Sequence, residues 1–342
     1  MFDPNAAALA DSGIFGLNDT PENARVVLVP VPWDTTTSYR AGTAKGPAAI
    51  LEASKQVDLF DIETGKPYEA GIAMLEESAE IREWNATFRK DAELVIEAAG
   101  RVQGDAKLEA ALARVNEASA NVNAKVHETV KFWLDRGKIV GTVGGDHSTP
   151  FGAIQAYAEK FPGLGILHID AHADLRHAYE GFEWSHASIM ENVSRRLPNV
   201  KKIVAVGIRD FCEEEHDLML DSAGRIVTHF DVDLARARRN GNLDELFTNI
   251  ARELPENVYV SFDIDGLDPT LCPNTGTPVP GGLSFHEASA LVGALAHAKK
   301  KIVGFDVNEV APNAENENDE WDANVGARIL YKLIGWSLYE EV

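Results

Sequence analysis

Three short runs in this sequence combine carboxylates with imidazoles: GGDHS at 144–148, DAHAD at 170–174, and DID at 263–265 within SFDIDGLDP. Residues i and i+2 of an extended segment point the same way. Asp170, His172 and Asp174 can therefore converge on one side and Asp263 and Asp265 on another, with His147 adding a second imidazole. Four buried carboxylates without partners are prohibitively costly. Two divalent ions bring four positive charges to the four negative ones. Mixed oxygen and nitrogen donors suit Mn²⁺, and nickel, cobalt or iron also fit. A metal pair about 3.5–4 Å apart lowers the pKa of bound water and provides a nucleophile at neutral pH. The chemistry these residues offer is metal-assisted hydrolysis.

Each run follows a short apolar stretch that reads as a strand. The expected strands are 25–31, 138–144, 164–170, 202–208, 225–231, 257–263 and 301–307. They are apolar on both faces, as strands buried in a parallel sheet are. Helical stretches lie between them at 149–161, 213–221, 244–254, 284–299 and 323–339. This alternation predicts an α/β fold with a mostly parallel central sheet and helices on both faces. Sites in such sheets form at the carboxyl ends of strands, where all three runs fall. One segment interrupts the pattern. Residues 85–136 are rich in Ala, Glu, Lys and Arg and break at Gly104–Asp105. Beyond the break Leu108, Leu112, Val115, Val122, Val126 and Trp133 fall near helical spacing. The segment reads as a helical insertion, either a hairpin packed on the sheet or an oligomer contact. No linker divides the 342 residues, so 1–342 is expected to form a single domain. The acidic stretch from Glu315 to Glu320 reads as a solvated loop.

Lys and Arg total 32 against 54 Asp and Glu, a formal net charge of −22. Nucleic acid and anionic membranes repel such a surface, whereas metal ions and small cations are favoured. Cys212 and Cys272 are the only thiols, too few for a disulfide scaffold, which fits a cytoplasmic location. No apolar run approaches about 18 residues, and no Lys or Arg precedes Arg25, so neither a transmembrane helix nor a signal peptide is expected.

The three motifs, in this order, resemble the metal-binding segments of the ureohydrolase family of arginase, agmatinase and formiminoglutamase. The resemblance covers nearly the whole chain. It implies a three-layer α/β/α arginase-like fold and a binuclear manganese site. In the family pattern His147, Asp170, Asp174 and Asp263 hold one ion and Asp170, His172, Asp263 and Asp265 the other, with Asp170 and Asp263 bridging. Two further segments match. TGTPVPGGLSF at 275–285 puts Thr277 at a substrate-side position, and DVNEVAP at 306–312 makes Glu309 the acid that binds a guanidinium. A carboxylate accepts two parallel N–H bonds from that planar group. WSHAS at 184–188 resembles the family's histidine loop and sets His186 near the leaving group, where imidazole can transfer a proton. Relatives with Gly-Thr after this His differ from Ala187–Ser188 here, and SHA is used by agmatinase-like members.

The implied reaction is hydrolysis of a guanidino C–N bond to release urea. Glu309 would hold the cationic substrate, Asp265 a proton, and His186 would serve the departing amine. Agmatine, giving putrescine, is the first expectation. The segment 31–51, with Trp33 and Thr35–Thr37, resembles the branch that contains nickel-dependent guanidine hydrolases, since a large ring and extra hydroxyls would shrink the pocket; the other reading makes Trp33 a core residue and the threonines turn caps. Guanidinobutyrate, arginine and formiminoglutamate are further alternatives, the last needing a cationic grip for which only Arg40 or Arg176 offers itself. From other classes, a non-catalytic ureohydrolase-like subunit and a single-zinc deacetylase of similar architecture are the rivals. Relatives commonly form trimers or hexamers, so a homo-oligomer is expected. Cys272 reads as a small packed residue.

Overall fold

Eight strands form one sheet, and all but the edge strands bury apolar side chains on both faces. The computed structural model describes residues 3–316 and 318–339, so Glu317 of the acidic stretch lies outside the described residues. The strands are β1 (Val26–Val31), β2 (Ile72–Met74), β3 (Ile139–Gly144), β4 (Leu164–Ile169), β5 (Val200–Ile208), β6 (Ile226–Phe230), β7 (Asn257–Asp263) and β8 (Lys301–Asn308). Their order is β2-β1-β3-β8-β7-β4-β5-β6, and every neighbouring pair is parallel. All seven expected strands are present. The edge strand β2 was not expected; three residues are too short to announce themselves by pattern.

The helices are α1 (Gly46–Ser54), α2 (Ala79–Glu97), α3 (Ala106–Leu134), α4 (Phe151–Lys160), α5 (Ile189–Arg196), α6 (Glu213–Asp221), α7 (Asp231–Asn240), α8 (Leu243–Glu253), α9 (Phe285–His297) and α10 (Trp321–Leu338). Alternation along each strand builds two cores. Val26 and Leu28 of β1 and Val258, Val260 and Phe262 of β7 face Ile50 of α1, Phe247 of α8, Leu291 of α9 and Leu330 of α10. Val27, Val29 and Tyr259 face the other way, toward Val126 of α3, Ile154 of α4 and Val193 of α5. The result is three layers, helices on sheet on helices. Burying each such side chain is worth about 1.5–3 kcal/mol.

The segment expected as a helical insertion is an antiparallel pair that begins earlier, at Ala79. Ser78 caps α2 by accepting the Ile81 N–H. The Asp105 carboxylate caps α3 through the N–H groups of Lys107 and Leu108. Val122, Val126 and Val130 of α3 pack into the core beside the sheet. Ala92 and Val95 of α2 meet Ala111 and Val115 of α3 around Phe182, a small separate core. Among the described residues no helix is long and apolar enough to cross a membrane.

Candidate active site and metal centre

The four central strands β3, β8, β7 and β4 deliver the chemical residues, each from the turn just after its carboxyl end. The chain does not continue as strand there. His172 donates its N–H to Asp170 Oδ1 at 2.6 Å, and Asp265 donates its N–H to Asp263 Oδ1 at 2.8 Å. Residues i and i+2 thus converge through carboxylate-capped turns rather than through strand alternation, a correction to the simple i, i+2 argument. After β3, Gly145 passes against Trp33; a Cβ there would lie 2.0 Å from the Trp33 carbonyl oxygen. Asp174 and Glu309 take left-handed backbone, φ 54 and φ 63. Strain of roughly 1 kcal/mol or more per non-glycine residue is characteristic of functional positions.

Three carboxylates surround one imidazole nitrogen. His147 Nδ1 lies 2.9 Å from Asp170 Oδ2, 3.2 Å from Asp263 Oδ2 and 3.3 Å from Asp174 Oδ2. Its Nε2 is fixed 2.9 Å from the Ser261 hydroxyl. On the other side His172 Nδ1 lies 3.0 Å from Asp265 Oδ2 and 3.5 Å from Asp170 Oδ1. Asp170 therefore faces both imidazoles, one with each oxygen. Asp263 reaches the His147 side, while its second oxygen accepts the Asp265 N–H.

The electrostatics is that of a cluster short of positive charge. Asp170, Asp174, Asp263 and Asp265 are at most 5 % exposed. Among the described residues no Lys or Arg nitrogen comes within 4 Å of them; their ion-pair partners are histidines. Burial alone would depress His147, but its bonds to Asp170, Asp174 and Asp263 win and hold it well above the usual range. Burial likewise opposes His172, and Asp265 and Asp170 raise it to about 12. Burial, then Asp265 and Asp170, push Asp263 well up, and burial with Asp170 takes Asp174 to about 6. Protons on the imidazoles are the cluster's own countercharge. The donor set fits divalent ions: the donor atoms of His147, His168, Asp170 and Asp174 lie within 4.8 Å of one another, as do those of Asp170, His172 and Asp265. Asp170 belongs to both groups.

Glu309 closes the cavity from β8. Its Oε1 accepts the His147 N–H at 2.9 Å, and its carbonyl accepts the Thr275 hydroxyl at 2.8 Å. Burial, then Asp146, push its carboxyl well above the usual range. The Thr277 hydroxyl lies 3.4 Å from Asp265 Oδ2. Burial, then the charges on His172 and His147, lower the His186 imidazole to about 4, so the ring is neutral at pH 7 in the metal-free chain. His186, Glu309 and Thr277 line one cavity of about 180 Å³ together with His147, His172 and Asp263. Asp174 lines it too, and Asp170 and Asp265 lie just behind, against His147 and His172. Arg176 also lines it, with Nε 3.6 Å from Glu215.

Two residues of the centre were not singled out from sequence. His168 Nε2 lies 2.8 Å from Asp170 Oδ2, and its position two residues before Asp170 on β4 was the available signal. Asp146 is fully buried, taken to about 7 by burial foremost. Trp33 packs in the core, so the expectation that its ring shrinks the pocket is corrected. Thr35 and Thr36 are hydrogen-bonded and buried, and of this segment Ser38, not Thr35–Thr37, reaches the cavity. Cys272 is packed in the core.

Comparison with known proteins agrees with this geometry. Residues 24–335 match the model of the arginase family. The N(1)-aminopropylagmatine ureohydrolase of Thermus thermophilus is 34 % identical over 325 residues, 94 % of each chain. The agmatinase of Bacillus anthracis is 30 % identical over 315 residues, 92 % of this chain and 93 % of that one. The agmatine ureohydrolase of Thermoplasma volcanium superposes with a TM-score of 0.71 at 24 % identity, over 98 % of this chain and 95 % of that one. A match of this extent, on a sheet whose central strand ends gather two groups of metal-type donors around a shared aspartate, makes the chain a member of the arginase family.

Proposed function

We propose that this chain hydrolyses agmatine to putrescine and urea. The carrying observation is one small cavity in which the aspartate–histidine cluster, Glu309 and His186 meet. Two divalent ions, Mn²⁺ first and Ni²⁺ second, would be held by His147, Asp170, Asp174 and Asp263 and by Asp170, His172, Asp263 and Asp265. When bound, they supply Lewis-acid charge and lower the pKa of water. The protein's own groups do the rest. Glu309 accepts N–H bonds from the guanidinium, and that cation offsets the burial, and the repulsion from Asp146 and Asp265, that raise its pKa. Asp265, beside the Thr277 hydroxyl, holds a proton as the C–N bond weakens. His186 exchanges a proton with the departing amine. His168 keeps the shared Asp170 oriented.

Relatives named for aminopropylagmatine make that longer guanidino-polyamine the second substrate to test. Guanidine, guanidinobutyrate, arginine and formiminoglutamate follow. A net charge of −22 supports small cations as partners rather than nucleic acid or membrane surfaces. The reading includes a cytoplasmic location, supported by two unpaired thiols, and assembly as a homo-trimer or hexamer, measurable by light scattering. The deciding experiment is a urea-release screen over these compounds with Mn²⁺ and Ni²⁺ separately. Release from agmatine above all others is expected. Two bound ions with no urea from any compound would establish the non-catalytic alternative instead.

A further inference from the structure

Helices α2 and α3 contribute no strand to the sheet, yet one face of α2 grips the loop that walls the cavity. Asn85 and Arg89 are four residues apart and share that face. Asn85 Oδ1 accepts the Asp34 N–H and the Thr35 hydroxyl, both at 2.8 Å, and its Nδ2 donates to Asp34 Oδ1 at 2.9 Å. Arg89 Nη1 donates to the carbonyls of Thr37 at 2.6 Å, Thr35 at 3.2 Å and Asp34 at 3.4 Å. Glu93, one turn further, holds Arg89 Nε at 3.2 Å. Residues 34–37 are buried and belong to neither helix nor strand. Their polar backbone must be satisfied by something else, and α2 provides it.

The opposite side of the same segment faces the chemistry. The backbone of Thr36 lies against the buried His186 ring and favours its protonated form. The Thr36 hydroxyl donates to Asp146 Oδ2 at 3.3 Å, and the Trp33 carbonyl accepts the Asp146 N–H at 2.8 Å, immediately before His147. Ser38 lines the cavity. A continuous set of hydrogen bonds thus runs from α2 through residues 34–37 to Asp146, and the same segment leads into the cavity wall that Ser38 shares with His186.

We propose that Arg89 and Asn85 are positioning residues: by fixing the carbonyls of 34–37 they hold in place the segment that backs Asp146 and the His186 ring. This gives the hairpin a catalytic purpose beyond packing. The inference rests on the proton-transfer role read for His186. A displacement of about 1 Å in such a group can cost about 10²-fold in rate. Arg89→Ala should therefore lower kcat by about 10–100-fold while KM changes by less than about 3-fold and the metal content stays the same. Arg89→Lys, which keeps the charge and three donors, should recover part of the loss. The comparison variant is Arg114→Ala, which breaks the two-bond pair from α3 to Asp91, at 2.7 and 2.8 Å, on the face of α2 away from the loop. It should loosen the hairpin and leave kcat unchanged. In a His186→Ala background, Arg89→Ala should cost nothing further, because both changes act through one group. Independently of turnover, amide hydrogen exchange of residues 33–45 should quicken in Arg89→Ala while that of 164–170 does not. The proposal is overturned if exchange of 33–45 is unaltered, if Arg114→Ala costs as much as Arg89→Ala, or if the full loss persists without His186. A wild-type chain that releases no urea counts against the functional reading, and the exchange measurement still decides whether Arg89 holds the loop.

Discussion

Asp170 should carry twice the metal-linked stability of Asp174. Each Asp170 oxygen faces a different imidazole, and the residue belongs to both donor groups, whereas Asp174 belongs only to the group around His147. An ion that binds only the folded chain, at a free concentration about 100 times its Kd, stabilises it by about 2.7 kcal/mol, and two such ions by about 5.4 kcal/mol. Unfolding entropy of about 2.1 cal/mol/K per residue gives about 0.7 kcal/mol/K for 342 residues. Two ions should then raise Tm by about 7–8 °C and one by about 4 °C. Asn keeps the shape of Asp and removes the charge. Asp174→Asn should retain roughly half of the metal-induced shift, and Asp170→Asn close to none. The assay is a thermal scan of chelator-stripped protein with and without excess Mn²⁺. Each variant is referenced to its own metal-free Tm, so changes in intrinsic stability cancel. Metal per chain is counted in parallel by mass spectrometry. If Asp170→Asn keeps one tightly bound ion and half the shift, the shared-carboxylate argument is wrong. If wild type shows no shift with either Mn²⁺ or Ni²⁺, the cluster is balanced by its own imidazolium protons and is not a metal centre.

Two further changes probe the walls of the cavity. Glu309→Gln preserves an acceptor for the His147 N–H but removes the charge offered to the guanidinium. Loss of one partner from a buried charged pair costs about 2–5 kcal/mol, so kcat/KM should fall by roughly 30- to 5000-fold. Bound metal should be unchanged, and steady-state urea release close to wild type would remove Glu309 from substrate binding. Gly145→Ala forces a methyl against the Trp33 backbone, since the Cβ would sit 2.0 Å from the carbonyl oxygen. Overpacking of this kind costs about 1–3 kcal/mol. Because the displaced backbone leads directly into residues 34–37, both Tm and kcat should drop, and an alanine variant indistinguishable from wild type in both would show that the contact yields freely.

The parts of this molecule that could be read in advance are those whose physics is local. Six of the seven expected strands are legible because a strand covered on both faces is a continuous apolar run, and the edge strand Ile226–Phe230 by its short β-branched and aromatic run. Helix α7 was not, because DVDLARARRN buries only Leu234 and Ala237 and carries no wide apolar stripe. The metal-type ligands were legible because each motif folds on itself: the carboxylate of residue i accepts the N–H of residue i+2, so spacing alone brings the second ligand round. His168 obeys the same short-range logic along β4 and could have been found by it. Asp146 makes the same turn, its carboxylate accepting the Ser148 N–H, but its complete burial and its contacts with Asp34 and Thr36 come from more than a hundred positions earlier. Asn85 and Arg89 lie about fifty residues beyond the loop they fix, on a helix whose sequence pattern speaks only of its packing. The division has a physical reason. Ligands that must meet one ion within a few ångströms are economically supplied by short turns at adjacent strand ends. A loop that must stand still over them has no ladder of its own, so its hydrogen bonds come from whatever element packs above it. In this chain that element is the hairpin, which makes Arg89 the position where a change far from the metal-type ligands should be felt in turnover.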